Sequence, residues 1–316
     1  MSHNRFAIID LGTNTCNLLI GNIDDRCNIN FIYRDRAPVM LGCEEGLVKG
    51  VICGEAIYRV VVAIKKYMQI IHKYNVENNN ILIFATEGVR NANNSADLLS
   101  RIRLETGLKV RIISGDDEAE WIYYGVKNSG LLKDRVTLIM DIGGGSTEFI
   151  IADKDKFYWK HSFKLGASRL LQIIKPQEPF SYRDLIYFIR ILKQELVLLT
   201  KQIKKYKPRV LIGTSGSFHT LSNAILKQIH NMKEVPKSNF YSVDKEDFSK
   251  IYCKIVRATL EELLNMPGIE PYRAKYMPIS VIFIKFVMKY YNIKALTYSG
   301  FGIKEGAAYK LMCNEA

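Results

Sequence analysis

Two short stretches of this 316-residue chain hold the side chains best suited to chemistry. Residues 141–148 read DIGGGSTE, directly after the apolar run VTLIM. Glycines leave no Cβ between backbone amides and a ligand, so such a loop can bring its N–H groups up to an anion. Ser146 and Thr147 add hydroxyl donors to Gly143, Gly144 and Gly145. The flanking carboxylates of Asp141 and Glu148 would repel a phosphate unless a hard cation lay between them. Mg²⁺ held by one or two carboxylates and by phosphate oxygens resolves that conflict. A flexible glycine turn with incidental acids is the plainer alternative.

Residues 10–15, DLGTNT, repeat the theme after the apolar FAIID. Asp10 ends a strand, and Thr13, Asn14 and Thr15 offer further donors, although the same residue types also suit an ordinary hairpin turn. A third stretch is GTSGS at 213–217, between VLI and an apolar helix. Free amides and the dipole at that helix start favour an anion beside Ser215, Gly216 and Ser217, and plain N-capping by Ser215 or Ser217 is the competing account.

Two other segments supply what the loops lack. ATEGVR (85–90) brings Arg90, suited to bidentate phosphate contact unless it is simply a surface arginine. SGDDEAEW (114–121) sets four acids at a strand-to-helix junction. Most of them suit the first turn of a helix, where the macrodipole favours acids. One could position a water for attack on phosphorus.

These groups need a scaffold, and the apolar periodicity outlines it. Strands are expected at 6–10, 81–85 and 110–113, with neighbouring strands in NLLIGNID and INFIYRD, and helices at 54–74, 95–105 and 116–126. After the polar stretch 128–135 the order begins again. VTLIMD, EFIIAD and KFYWKHSF read as strands, then helices at 182–205, 247–264 and 273–290 alternate with strands at 210–213 and 295–300 before a last helix at 304–313. Both halves thus run strand, acid, glycine turn, strand, strand, then alternating helices and strands. This is a duplication at domain scale, with no short-period repeat.

Composition narrows the class. Hydrophobic residues make up 48% of the chain, as in globular proteins generally. The N-terminus enters a strand at once, with no signal peptide expected. The apolar segment 277–291 is interrupted by Lys285 and too short for a bilayer, so a buried helix is expected. Cys16, Cys27, Cys43, Cys53, Cys253 and Cys313 show no metal-ligand spacing and read as reduced thiols in cytoplasm, and the five histidines form no cluster. The net charge of +13 suits either a generally basic surface or a polyanionic partner. No nucleic-acid recognition motif accompanies the charge.

The order DLGTNT, ATEGVR, SGDDEAE, DIGGGSTE, LGASRL, GTSGS, SGFGIKEG resembles the exopolyphosphatase/guanosine pentaphosphate phosphohydrolase family, from about residue 6 to about residue 310. The resemblance implies an α/β protein of two actin-like (ribonuclease H-like) domains with a cleft between them. One would comprise 1–127, joined by the C-terminal helix 303–316, and the other 128–302. It implies a cytoplasmic, Mg²⁺- or Mn²⁺-dependent homodimer, without membrane or specific nucleic-acid partners, that releases terminal phosphate from inorganic polyphosphate. Guanosine pentaphosphate hydrolysis is an alternative, and so is a non-hydrolytic polyphosphate or alarmone sensor. Carried onto this sequence, Glu118 is the catalytic glutamate and Arg90 its arginine. Thr13, Asn14, Thr15, Gly143, Gly144, Gly145, Ser146 and Thr147 fall on its phosphate loops, and Ser215, Gly216 and Ser217, from their own glycine-hydroxyl pattern, are expected to bind phosphate as well. Asp10, Asp141 and Glu148 hold the metal. The chain departs from the family at Lys275, where an acid is frequent, and at Lys304, where an arginine is. It also lacks the extra C-terminal helical region of longer members, which makes short-chain substrates an expectation.

Overall fold

The computed structural model describes residues 4–24, 29–42, 46–236 and 238–313. The chain divides into one unit of Met1–Gly125 with Ile303–Ala316 and a second of Val126–Gly302. In the first, β1 (Asn4–Leu11), β2 (Thr15–Ile23) and β3 (Ile29–Pro38) form an antiparallel meander. After α1 (Gly46–Lys49) and α2 (Gly54–Lys73), β4 (Ile81–Ala85) pairs parallel with β1. Two helices, α3 (Glu87–Arg90) and α4 (Ser95–Thr106), lead to β5 (Arg111–Ile112), which extends the sheet, and α5 (Gly115–Asn128) follows. The strand order β3-β2-β1-β4-β5 is that of the ribonuclease H-like, actin-like fold.

Strand alternation sorts the sheet into two faces. Ala7, Ile9 and Leu11 pack towards α2 and α4, whose apolar residues recur at helical spacing, among them Val60, Ile64, Tyr67 and Ile71. Phe6 and Ile8, on the face that also carries Asp10, pack with Phe84, Trp121, Ala307 and Ala308. The last two belong to α13 (Ile303–Cys313). A Cβ on Gly306 would lie 1.6 Å from the Trp121 carbonyl oxygen, so only glycine lets α13 approach α5 this closely.

The second unit repeats the plan. β6 (Thr137–Ile142), β7 (Thr147–Ala152) and β8 (Phe157–Phe163) form the meander. After α6 (Ala167–Ile174), α7 (Tyr182–Glu195) and α8 (Val197–Tyr206), β9 (Val210–Thr214) pairs parallel with β6. Then come α9 (Ser215–Gln228), β10 (Phe240–Val243), α10 (Lys245–Arg257), α11 (Leu260–Leu264), α12 (Met277–Tyr290) and β11 (Ala295–Ser299). The order is β10-β11-β9-β6-β7-β8, with β11 parallel to β9 and the short edge strand β10 antiparallel to β11.

Several expectations need correction. The helix expected over 182–205 breaks at Leu196, a buried residue with φ −90° and ψ 22° that no proline or glycine announces. The helix expected over 247–264 is two, because Thr259 and Glu262 form a reciprocal capping box that starts α11. The segment 273–290 opens as a 3-10 turn over Pro271–Tyr276 before α12, most of which is buried. Strand β10 lies where no strand was expected. Cys53 is disulfide-bonded rather than a reduced thiol, whereas Cys16 and Cys253 are free. His3, Cys27 and Cys43 lie outside the described residues. Among the described residues no helix is long and apolar enough to cross a membrane.

Candidate functional site

Each unit places its acid and its loop at the end of a meander hairpin. In the first, Asp10 lies near the end of β1, and the turn to β2 is closed by the Gly12 N–H donating to the Thr15 carbonyl at 3.0 Å. The loop's carbonyls are occupied: Thr13 O accepts from Leu41 N, and Asn14 O from Val39 N and Met40 N. Thr13 is buried against α3, where a Cβ on Gly88 would lie 2.7 Å from its hydroxyl. Asp10 is buried as well. Its Oδ2 accepts from Asn17 Nδ2 at 3.0 Å, and the same amide nitrogen reaches Thr15 Oγ1 at 3.3 Å. Burial pushes the Asp10 carboxyl up to about 6, against the charges of Lys304 and Arg36 and the Asn17 hydrogen bond.

Arg90 and Glu118 meet on this unit. Arg90 ends α3, and Glu118 sits in the first turn of α5, its N–H donating to the Ser114 carbonyl. Arg90 Nη1 donates to Glu118 Oε2 at 3.2 Å and to the Ile113 carbonyl at 2.7 Å. Asp117, by contrast, caps its own helix through Ser114, as expected of an acid at a helix start.

In the second unit the Gly143 N–H donates to the Ser146 carbonyl at 3.0 Å, the same closure as Gly12 with Thr15. The glycine carbonyls turn towards the start of α6. Gly145 O accepts from Gly166 N and from Arg169 Nε, Gly143 O from Ala167 N, and Gly144 O from Ser168 N and Arg169 N. A helix start has unsatisfied N–H groups that must find acceptors, and here the loop itself supplies them. Gly166 permits the contact, since a Cβ there would lie 2.3 Å from Gly144 O. Thr147 is wholly buried, and its hydroxyl donates to the Leu165 carbonyl at 2.8 Å, so it fastens the loop to the LGASRL segment.

Asp141 and Glu148 are directly registered partners across β6 and β7, both buried. The Ser162 hydroxyl donates to Glu148 Oε1 at 2.7 Å. Two buried carboxylates at facing strand positions are mutually unfavourable, and they are hard oxygen donors. Among the described residues no group of three or more His, Cys, Asp or Glu is placed to hold a metal ion. Two such hard oxygen donors are the kind of set that a cation completing its shell with water and phosphate oxygens, as Mg²⁺ does, could use.

Beside this loop, the hydroxyls of Ser215 and Ser217 both donate to the Ile142 carbonyl at 3.2 Å, and Ser280 donates to Ser217. Ser215 has φ +69°, a left-handed conformation costly for a residue with a Cβ, of the kind found at ligand-binding turns. Gly216 lies under the Arg273 guanidinium, where a Cβ would meet Nη2 at 2.0 Å. Arg273 is held by Tyr272 Oη at 3.2 Å and lies 3.8 Å from Glu270. Asn17, Ser162 and Arg273 carry no local sequence signal of a site role. The first two become visible only through strand register, the last only through packing.

Known proteins resemble this chain over nearly all of its length. The profile of the Ppx/GppA phosphatase family matches residues 19–315. A bifunctional 3-dehydroquinate synthase/phosphatase of Fusobacterium nucleatum is 31% identical over 298 residues, covering 90% of this chain and 43% of that protein. A guanosine-5'-triphosphate,3'-diphosphate pyrophosphatase of Vibrio vulnificus is 26% identical, covering 97% of this chain and 59% of its own length. The chain thus spans about half the length of these two curated relatives. The crystal structure of an exopolyphosphatase from Cytophaga hutchinsonii superposes with a TM-score of 0.93 at 33% identity, covering 98% of each chain.

Proposed function

We propose, since the chain belongs to the Ppx/GppA phosphatase family, that it is a Mg²⁺-dependent hydrolase releasing terminal phosphate from inorganic polyphosphate. The observation that carries this reading is the pair of loops, Gly12–Thr15 and Gly143–Ser146, with matching closures. In each, hydrogen bonds from elsewhere hold carbonyls of the turn, and a turn of this kind presents main-chain amides to an anion.

Asp141 and Glu148 would hold Mg²⁺, and the ion would neutralise charge on the phosphate oxygens it touches. Glu118 would orient the attacking water. Its bond to Arg90 fixes where the carboxylate sits, which suits a water-positioning role, and a loose phosphoryl-transfer transition state asks for little proton removal before attack. Arg90 would balance charge on the transferring group. Ser146 and the amides of Gly144 and Gly145 would donate to phosphate oxygens, as would Thr13, Asn14 and Thr15 in the first loop, while the Gly143 N–H closes the turn onto Ser146. Ser215, Gly216 and Ser217 add the start of α9, whose dipole favours an anion. Asp10 fits a metal-ligand role less well than the other two acids, because Asn17, Lys304 and Arg36 already offset its charge.

Guanosine pentaphosphate is the second reading, favoured by the likeness to the Vibrio vulnificus pyrophosphatase. Phosphate release with Mg²⁺ from tripolyphosphate, long polyphosphate, guanosine pentaphosphate and ATP, run side by side, tests both. Polyphosphate is expected to be turned over fastest. Release from none of them would leave the sensor reading instead.

A further inference from the structure

The two units build the same three-strand rung from different residues. In the second unit Asp141 registers with Glu148, and Glu148 with Ser162. In the first, Asp10 registers with Asn17, and Asn17 with Arg36. Asn17 lies seven positions after Asp10, as Glu148 lies seven positions after Asp141. Asn17 therefore stands where the other unit has Glu148, and Arg36 where it has Ser162.

Their charges differ in kind. Asp–Glu–Ser sets two carboxylates side by side, hard oxygen donors of the kind a divalent cation takes. Asp–Asn–Arg sums to zero. Its negative charge is met by the chain itself, and Lys304 in the first turn of α13 adds a further positive charge acting on Asp10.

The hydrogen bonds give the first rung a direction. Arg36 Nε donates to Asn17 Oδ1 at 3.2 Å, while Asn17 Nδ2 donates to Asp10 Oδ2 at 3.0 Å and to Thr15 Oγ1 at 3.3 Å. An amide has one donor end and one acceptor end. Turned over, Asn17 would set oxygen against the Asp10 carboxylate and NH₂ against the guanidinium, two repulsive contacts in place of attractive ones. Arg36, together with Asp10, thus decides which way the amide faces. Thr15 Oγ1 then has a lone pair engaged by Asn17, which leaves its proton to seek an acceptor elsewhere. Arg34, two residues along the same face of β3, is paired with the buried Glu305 at 3.1 Å.

We propose that Asn17 and Arg36 are positioning residues of the phosphate site: Arg36 sets the Asn17 amide, the amide fixes the Asp10 carboxylate and the Thr15 hydroxyl, and the divalent cation is left to the Asp141–Glu148 rung alone. This rests on the hydrolase reading above. The test uses the full chain with Asn17→Ala, Arg36→Ala and Glu148→Gln, measuring Mn²⁺ binding by electron paramagnetic resonance, thermal stability, and kcat and KM for phosphate release. Both first-unit variants should keep Mn²⁺ affinity within about twofold while kcat falls about tenfold with KM little changed, the scale expected for groups that orient a site residue. Glu148→Gln should weaken Mn²⁺ binding by about tenfold or more. Arg36 is exposed, so Arg36→Ala carries the same expectation should Asn17→Ala fail to fold. Mn²⁺ affinity falling in Asn17→Ala or Arg36→Ala as far as in Glu148→Gln would overturn the proposal, as would wild-type kcat in both. If the wild type releases phosphate from no substrate, the hydrolase reading fails on its own. The rung is then judged on calorimetric binding of Mn²⁺ and of pyrophosphate. It stands if Asn17→Ala weakens pyrophosphate about tenfold with Mn²⁺ unchanged, and it falls otherwise.

Discussion

Arg90 and Glu118 are bound to each other, Nη1 to Oε2 at 3.2 Å, and the same nitrogen is anchored at 2.7 Å on the Ile113 carbonyl. One guanidinium thus ties the end of β5 to the first turn of α5. Glu118→Gln keeps the shape and removes the charge. It should lower kcat by about 10²–10⁴-fold while changing KM only a few-fold, the range for loss of a group acting on the attacking water. Steady-state phosphate release checks this. Arg90→Lys should not restore activity lost in Arg90→Ala, since an ammonium cannot reproduce the planar fork.

Ser162 reaches Glu148 from the neighbouring strand at 2.7 Å. Ser162→Ala should leave the fold intact and raise the Mg²⁺ concentration needed for half-maximal activity by about tenfold, as loss of a group orienting a ligand does. A Mg²⁺ titration of phosphate release at saturating substrate measures it.

Gly166 has an ordinary φ of −71°, so only space forbids a side chain there. Gly166→Ala would drive a Cβ to 2.3 Å from Gly144 O and push the loop away from α6. A loss of about 2–3 kcal/mol is expected from such overpacking, read from the midpoint of urea unfolding, together with lower activity.

Glu270 offers a pH dependence away from the catalytic acids. Burial pushes its carboxyl up, but His219, the Thr220 hydroxyl at 2.6 Å and the Arg273 charge outweigh this and hold it at about 2, below its ordinary value of 4.5. A folded value below the unfolded one means stability that is present above the ordinary value and lost as pH falls towards the folded one. The wild type should therefore exceed Glu270→Gln by about 1–3 kcal/mol at neutral pH, with the gap closing between pH 4.5 and about 2. Denaturant unfolding of both proteins across that range tests the sign.

The parts legible in the sequence were those written in consecutive residues. Both loops, their acids and the strands around them come from local pattern, and the repeat of DLGTNT in DIGGGST exposed the duplication. The helix break at Leu196 was hidden because the residue is apolar and buried, as a continuing helix would have it. The break before α11 was readable in the TLEE capping box, but the apolar periodicity on either side masked it. Asn17, Arg36 and Ser162 depend on which residue faces which across strands. The bonds from α6 to the glycine carbonyls could not be foreseen, because they join main-chain atoms whose side chains say nothing of the contact.

That last contact bears on how the protein meets its ligand. The carbonyls of Gly143, Gly144 and Gly145 are satisfied by the start of α6, so the loop holds its shape without any anion in place. Under the proposed function, docking a phosphate would then carry little entropic penalty for ordering the backbone. Capture should be governed by diffusion and long-range attraction, with no slow rearrangement of the glycines, and successive phosphate groups could be met by an unchanged cradle.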